Sequence, residues 1–295
     1  MNSRGMFVLA SRFVGICLAV SVLAVAADPT YLKRYLPDVS PVQDELTANS
    51  TGASYQAVFG AGDSQASQLK GIARYGQLTV LPGGSSAILS YPTEEQIYYV
   101  LDGRGTLLYG DQRAPLKKND FMYLPVGVKH GVANGSDQPL RLLIMGFKIP
   151  PAAHVAPTPK LMLANADDVP YVLVAGHGPT VRFKLLMGTT ESKRDKLAAA
   201  SQMVSLFIMD FASGGTNIPH HHEMAEEIYY ILRGHGDMVA GGGDDGNEGR
   251  HPAKEGDAFF IRLNATVGFY GGSKSGEHDE VLAVRSRFPF PQRVE

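Results

Sequence analysis

The chain has no tryptophan and only one cysteine, Cys17, so a framework of intramolecular disulfides is excluded. It also lacks an excess of charge, because 27 basic and 29 acidic residues leave a formal net charge of -2. Because the positive and negative charges are nearly equal, the composition does not indicate binding to a nucleic acid or electrostatic attachment to a membrane. Long amphipathic helical patterns are absent too. The 295 residues are enough for about two domains, each with its own core.

One long hydrophobic run is present, at the N-terminus. Arg4 and Arg12 are basic, an acid-free apolar segment occupies residues 13–27, and Asp28 ends it. A basic start, an apolar stretch and small residues near its end are typical of a cleavable secretory signal. We therefore predict a signal peptide over residues 1–27 and an exported protein, periplasmic or extracellular, or in the secretory pathway of a eukaryote. The alternative is an uncleaved anchor, although a membrane span needs about 20 residues.

An internal repeat relates the two halves of the chain. Residues 95–105 read EQIYYVLDGRG, and residues 226–236 read EEIYYILRGHG. A second pair of similar segments, residues 113–120 and 250–257, follows in the same order. Two matches in one order indicate a duplicated domain.

Each half is a series of short β-branched or aromatic runs separated by Gly, Pro, Asp or Asn, which predicts an all-β chain of antiparallel sandwiches or barrels. Residues 151–160 are rich in proline, which removes backbone donors, so we predict a linker there. The N-terminal barrel is then expected over residues 28–150 and the C-terminal barrel over residues 161–295. Residues 193–200 are predicted to be either a short helix or a solvated loop.

Three polar residues of the C-terminal half have the spacing of a metal site. His220 and His222 are one residue apart, so in a strand they project to the same face. Glu227 follows them, and Gly234 comes seven residues later. Glu226 is the alternative carboxylate, but the spacing to Gly234 favours Glu227.

These residues resemble the first sequence motif of the cupin superfamily, which has two histidines one residue apart, then a glutamate, then a glycine. Residues 119–130, which end in His130, resemble the second cupin motif, with its Pro-x-Gly-x-x-His ending. The resemblance covers most of both halves. It implies two tandem double-stranded β-helix (jelly-roll) barrels, an arrangement called a bicupin.

Each half departs from the family pattern at a different motif. The N-terminal half has Leu89, Tyr91 and Gln96 where the first motif has two histidines and a glutamate. His130 is therefore a remnant in that half, either structural or lining a second pocket. The C-terminal half keeps its first motif but has Val267 in place of the last histidine. The resemblance thus implies one metal site, in the C-terminal barrel.

Two imidazoles and one carboxylate form a facial triad that leaves about three positions of an octahedron open. This set suits one divalent transition metal, Fe(II) first, with Mn, Ni, Co and Zn as alternatives. We expect Tyr229, Val267 and Phe269 to line the pocket, with Tyr229 packed in the barrel and its hydroxyl bonded to a partner. Arg262 is expected either to lie exposed at the rim or to bind a substrate carboxylate through its bidentate geometry.

Two classes of function remain open. The first is a metal-dependent enzyme acting on a small organic molecule, with a dioxygenase favoured over a hydrolase or a decarboxylase. Exported bicupins that this chain resembles include flavonol-type dioxygenases, oxalate decarboxylases and ureidoglycine aminohydrolases, although the metal motif of the last differs from His220, His222 and Glu227. The second is a non-catalytic protein that binds or stores a metal or ligand. The resemblance also implies a homodimer. No nucleic-acid partner is expected, and no membrane contact once the signal is cleaved.

Overall fold

The protein is described by a computed structural model that covers residues 30–151, 153, 155, 160–243 and 246–289. The predicted signal peptide and part of the predicted linker lie outside these residues. Strands dominate the described chain, which confirms the all-β prediction. Its helices are single 3₁₀ turns, at Leu36–Asp38, Ala66–Gln68 and Ala166–Asp168. No helix in the described part of the chain has the length and apolarity needed to cross a membrane.

The first half of the chain contributes nine strands. They are β1 (Tyr31–Tyr35), β2 (Thr51–Gly60), β3 (Ile72–Ser85), β4 (Glu94–Asp102), β5 (Arg104–Tyr109), β6 (Gln112–Lys117), β7 (Asp120–Leu124), β8 (His130–Ala133) and β9 (Leu140–Lys148). All of these except β1 belong to one curled sheet of nine strands. Its order is β7-β4-β9-β3-β8-β5-β6, with β2 paired to β3 and with β10 (Met162–Asn165) of the second half beside β7. The long strand β3 runs from one wall of this jelly-roll barrel to the other.

The second half contributes eleven strands. They are β10 (Met162–Asn165), β11 (Val181–Thr189), β12 (Leu197–Ala200), β13 (Met203–Ala212), β14 (His220–His221), β15 (Ala225–Arg233), β16 (His235–Gly241), β17 (Gly249–Lys254), β18 (Asp257–Ile261), β19 (Thr266–Gly271) and β20 (His278–Arg287). They form a sheet of order β1-β18-β15-β20-β13-β11-β12 and a facing sheet of order β14-β19-β16-β17. Strand β12 corrects the expectation of a helix or loop at the end of residues 193–200, because Leu197 to Ala200 pair in parallel with β11.

The two halves exchange their first strands. Strand β1 pairs with β18 of the C-terminal half, with Tyr31 opposite Ile261. Strand β10 pairs with β7 of the N-terminal half, with Met162 opposite Tyr123. Each edge strand therefore completes the sheet of the other barrel.

Apolar side chains form three cores because the two faces of each central strand are both buried. One core, around Tyr98, fills the N-terminal barrel, and another, around Phe259 and Tyr229, fills the C-terminal barrel. The third lies between the barrels, where the rings of Phe59 and Phe260 have centroids 6.2 Å apart. Alternation along β15 explains the division, since Tyr229 points into its own barrel while the neighbouring residues face the other half.

Two buried glutamates join the halves reciprocally. The carboxylate of Glu95 accepts hydrogen bonds from the backbone N–H groups of residues 201, 202 and 203, at 2.8, 2.7 and 2.7 Å. The carboxylate of Glu226 accepts from the N–H groups of residues 70 and 71, at 2.8 and 2.7 Å. Burial raises the pKa of both carboxyls, and the amide hydrogen bonds oppose that rise. Glu226 is thereby committed to the junction between the barrels.

Candidate metal centre

The short strand β14 and the central strand β15 bring the predicted triad together. His220 pairs with Val267 of β19, and Glu227 pairs with both Ile261 and Arg285. One ligand atom from each of His220, His222 and Glu227 lies within 4.8 Å of the other two. No second cluster of this kind occurs in the described part of the chain. The choice of Glu227 over Glu226 thus agrees with the geometry.

Two buried polar atoms of this cluster face each other without a hydrogen-bonding partner. His222 Nε2 lies 3.0 Å from Glu227 Oε2, and neither atom has a hydrogen bond to the described residues. Burying two such atoms without a hydrogen bond is costly, because their contact at this distance does not replace the hydrogen bonds to water that they have lost. A cation between them would satisfy both atoms, so the donor set fits a divalent metal ion.

The third ligand, His220, is held as a neutral imidazole whose Nε2 can bind a metal ion. His220 Nδ1 lies 2.8 Å from the carbonyl oxygen of Ile218, which leaves the lone pair of Nε2 free. Burial lowers the pKa of His220, although the Ile218 hydrogen bond raises it in part. The neutral imidazole that this favours is the form that coordinates a metal ion.

The triad lines a cavity of about 310 Å³ whose other walls are mainly apolar. Tyr229 belongs to this lining, as predicted from the sequence. Its hydroxyl accepts a hydrogen bond of 2.9 Å from Asn217 Nδ2, and burial raises its pKa well above the usual value. Asn217 Oδ1 accepts a bond of 2.8 Å from the Phe269 N–H, so one buried amide ties β15 to β19. Tyr229 is therefore a neutral, positioned wall residue.

Three other residues predicted for the pocket are placed elsewhere. Val267 is fully buried as the register partner of His220, and residues directly opposite in an antiparallel pair share a face, so it adjoins the site without lining the cavity. Phe269 packs into the barrel core, with its ring 5.0 Å from that of Phe211. Arg262 lies at the turn after β18, where its backbone N–H donates to the Thr30 carbonyl.

Two of the cavity residues that the sequence analysis did not predict lie beside the triad. Arg285 lines the cavity on β20, where its Nε donates to Ser205 Oγ at 2.9 Å and lies 3.6 Å from Glu227 Oε1. His177 reaches the cavity from the loop between β10 and β11. Neither residue lies in a recognisable motif. Arg285 reaches the site through the pairing of β20 with β15, and His177 reaches it through its loop. Arg285 lies outside the segments that match between the two halves, so no sequence signal identifies it.

The equivalent position in the N-terminal barrel has the same backbone and different side chains. Leu89 pairs with His130, as His220 pairs with Val267. His130 is buried between the rings of Tyr91 and Tyr98, with centroids 5.8 and 5.5 Å away, and its Nδ1 lies 2.9 Å from a backbone carbonyl. Burial lowers the pKa of His130 to about 4. His130 is therefore buried and neutral, and it forms no cluster with other potential metal ligands of the described residues.

Comparison with known proteins agrees with this architecture. The family described as "Cupin domain" matches residues 76–146 and 207–269, one segment in each half. The uncharacterized protein MJ1618 of Methanocaldococcus jannaschii is 33% identical over 86 residues, which cover 29% of this chain and 67% of that protein.

Solved structures extend the likeness to both barrels. The protein Ylba of E. coli superposes with a TM-score of 0.67 at 14% identity, covering 92% of this chain and 97% of that one. The formate complex of Lactobacillus farciminis oxalate decarboxylase gives a TM-score of 0.64 at 13% identity, covering 88% and 87%. These identities establish a shared fold and no more. The cupin-domain match in each half and the relative that is 33% identical show that the chain belongs to the cupin superfamily, as a two-domain bicupin.

Proposed function

We propose that this protein is a metal-dependent enzyme that acts on a small organic molecule in the cavity of its C-terminal barrel. His220, His222 and Glu227 would hold one divalent transition metal. The observation that carries this proposal is the buried pair His222 Nε2 and Glu227 Oε2, which lie 3.0 Å apart in the cavity lining with no hydrogen bond to either atom.

A dioxygenase reaction is favoured by the chemistry of the donors and the walls. Two histidines and one carboxylate with open positions are the arrangement used by non-haem Fe(II) oxygenases. When bound, such a metal supplies Lewis acidity and a site for dioxygen or substrate oxygen atoms. The cavity walls include Phe183, Phe207 and Met209, which would accommodate the apolar part of a substrate. A hydrolase or decarboxylase reaction would use the same centre with a different substrate.

The residues around the triad have positioning roles. Arg285 Nε lies 3.6 Å from Glu227 Oε1, so its positive charge attracts the carboxylate and helps to fix its position. The Arg285 guanidinium also lines the cavity beside the triad, where it favours a substrate bearing an oxygen-rich or anionic group. Asn217 orients Tyr229 and thereby fixes the wall next to Glu227.

The metal is proposed to be Fe(II), with Mn, Ni, Co or Zn as alternatives, since the affinity order alone does not select among them. The oxalate decarboxylase of Bacillus subtilis, another structural neighbour, contains Mn(II) centres. That likeness, at 12% identity, supports a transition metal of this class and leaves its identity to measurement.

The alternative is a non-catalytic protein that binds or stores a metal or ligand. The loss of donors at Leu89, Tyr91 and Gln96 supports this alternative for the N-terminal barrel. We also propose that the protein is exported, on the strength of the N-terminal segment, and that it forms a homodimer, by analogy with other cupins.

Metal analysis of the full chain tests the site. Wild-type protein, loaded with Fe(II) or Mn(II) and then desalted, is expected to retain about one ion per chain, whereas a His220→Ala/His222→Ala variant retains none. A His221→Ala/His235→Ala variant removes the same number of histidines outside the triad and should retain the ion. Equal metal content in the wild type and in the triad variant would remove the basis of the proposal.

Oxygen uptake then separates the functional classes. Adding diols, flavonols or 2-keto acids to the Fe(II)-loaded protein is expected to consume dioxygen in proportion to the substrate converted. Conversion without oxygen uptake would indicate a hydrolase or a decarboxylase. Retained metal with no conversion of any compound would favour the non-catalytic alternative.

A further inference from the structure

His177 lies beside the triad with no role in the function proposed above. It lines the cavity, and its ring centroid lies 5.4 Å from that of His220, at an interplanar angle of 68°. The two histidines of the triad are related in nearly the same way, with 4.8 Å between centroids and an angle of 82°. Two imidazoles bound to one metal ion stand at about this separation when each Nε2–metal bond is about 2.0–2.1 Å.

The ring of His177 is oriented in the same manner as the ring of His220. His177 Nδ1 lies 2.9 Å from the carbonyl oxygen of Asn217, and His220 Nδ1 lies 2.8 Å from the carbonyl oxygen of Ile218. Metal-ligating histidines commonly donate their second ring N–H to such a carbonyl, which fixes the tautomer and leaves Nε2 to coordinate. The carbonyl groups of two consecutive residues therefore orient the two imidazoles, each through its Nδ1.

The segment that carries these carbonyls has a strained backbone. Ile218 has a φ of 58°, in the left-handed region that a β-branched residue rarely adopts. The other non-glycine residues with positive φ in the described chain are asparagines, which tolerate this region. Pro219 follows Ile218 and further disfavours any helical conformation there. Strain of this kind persists where a functional geometry requires it, and here it turns the carbonyls of residues 217 and 218 toward the two rings.

One coordination position of the metal site has no donor from strand β19. Val267, the register partner of His220, stands where His130 stands in the N-terminal barrel. Valine provides no donor, so the triad lacks an imidazole from β19. His177 adjoins the same site from a different segment of the chain.

We propose that His177 is a fourth protein ligand of the metal, recruited from the loop between β10 and β11 to replace the donor missing at Val267. This inference rests on the proposed metal site. The close cluster comprises the triad alone, so the loop must bring His177 inward when the metal binds. Packing at the adjacent Gly176 does not oppose this movement, because open space lies where a side chain of that residue would stand. Four protein donors leave about two octahedral positions open for substrate and dioxygen.

Pulsed EPR of the Cu(II)-loaded full chain tests the assignment, because it counts coordinated imidazoles independently of activity. Wild-type protein should show three coordinated imidazoles and a His177→Ala variant two. The dissociation constant for Zn(II), measured by competition with a chelator, should rise about 10- to 100-fold in His177→Ala. The control His221→Ala removes an exposed neighbouring histidine and should match the wild type in both measurements.

A His177→Cys variant provides a second measurement. Its Co(II) form should gain an intense sulfur-to-metal charge-transfer band, which a cysteine outside the coordination sphere cannot produce. The inference is overturned if His177→Ala keeps the imidazole count and the Zn(II) affinity of the wild type, or if the Co(II) band is absent. Loss of metal from the wild-type chain itself would instead contradict the proposed metal site.

Discussion

The two barrels pair their chains in the same way at the position of the metal site, yet only one of them carries the donors of a metal site. Leu89 and His130 pair as His220 and Val267 pair. The apolar alternation that fills each barrel is kept in both halves. The comparison shows that the fold depends on many interchangeable apolar positions, whereas the metal chemistry depends on a few side chains.

The mouths of the barrels differ as well. In each half an isolated bridge precedes a loop that reaches the barrel opening, Val42 with Tyr55 in one and Val172 with Phe183 in the other. In the N-terminal half this loop buries Leu46 in the barrel core, while in the C-terminal half it brings His177 to an open cavity. The corresponding loops thus place a buried apolar side chain in one barrel and a cavity-lining histidine in the other.

The largest expected effect comes from moving the metal donors between the barrels. We expect a Leu89→His/Tyr91→His/Gln96→Glu variant to gain a metal ion, because His130 then completes a set of three imidazoles and one carboxylate on a matching backbone. Metal content is measured by elemental analysis in a chain whose C-terminal triad carries His220→Ala and His222→Ala.

The same chain without the three added donors is the control and should hold no metal. Thermal unfolding with and without metal shows whether the variant is folded. A folded variant that binds no metal would mean that the packing of Leu46 and Tyr98, and not the missing donors, excludes the ion.

The next effect concerns the reciprocal junction between the halves. Replacing either Glu95 or Glu226 with alanine leaves buried backbone N–H groups of the opposite barrel without an acceptor. We expect each substitution to lower the free energy of unfolding by about 3–5 kcal/mol, measured by urea denaturation. Glu223→Ala, at an exposed carboxylate, should change it by less than about 0.5 kcal/mol. A large effect at one glutamate alone would show that the junction is asymmetric.

A smaller effect distinguishes the barrels by pH. Burial lowers the pKa of His130 from 6.5 to about 4, so the unfolded chain takes up a proton that the folded chain does not. This contribution to stability is therefore complete above pH 6.5 and is lost as the pH falls toward 4, by at most roughly 3 kcal/mol. The neighbouring Tyr91 and Tyr98 do not titrate in that range, because burial raises their pKa values.

Urea unfolding at several pH values between 4 and 6.5 measures this effect. The His130→Val variant, which copies the residue of the C-terminal barrel, should lose less stability than the wild type over the range. An identical pH dependence in the two proteins would contradict the assignment of a neutral, buried His130.

The smallest effect compares backbone strain at equivalent positions. Ile218 has a left-handed φ, whereas Ala87, at the matching position of the repeat, has no positive φ. Ile218→Gly should relieve strain and raise the free energy of unfolding by up to about 1 kcal/mol, since the strain relief exceeds the entropy cost of glycine. Ala87→Gly should lower it by about 0.5–1 kcal/mol. Chemical denaturation of both variants checks whether the signs are opposite, and equal signs would refute the comparison.

Much of this architecture is predictable from local patterns. The repeat, the short apolar runs and the motif spacing predicted two β-barrels, and the all-β fold and family are confirmed. The period of two also predicted that Glu227 and Tyr229 share a face, and both line the cavity. These features depend on residues that are close in sequence, where periodicity determines direction.

The remaining features depend on pairing between distant segments. Arg285 reaches Glu227 only because β20 pairs with β15, and His177 reaches His220 only because its loop folds over the barrel. The exchange of β1 and β10 leaves no local trace, since an edge strand has the same composition whichever barrel it joins. A single sequence contains no direct information on these partners.

The exchange of first strands has a kinetic consequence. Tyr31 of β1 pairs with Ile261 of β18, which is synthesised 230 residues later. Strand β1 therefore remains unpaired during most of the synthesis of the chain. Contacts this distant in sequence close slowly, and an unsatisfied sheet edge promotes association with other chains during the delay. Neither half is therefore expected to mature as an autonomous unit, and a truncated chain would expose one bare edge to any strand that meets it.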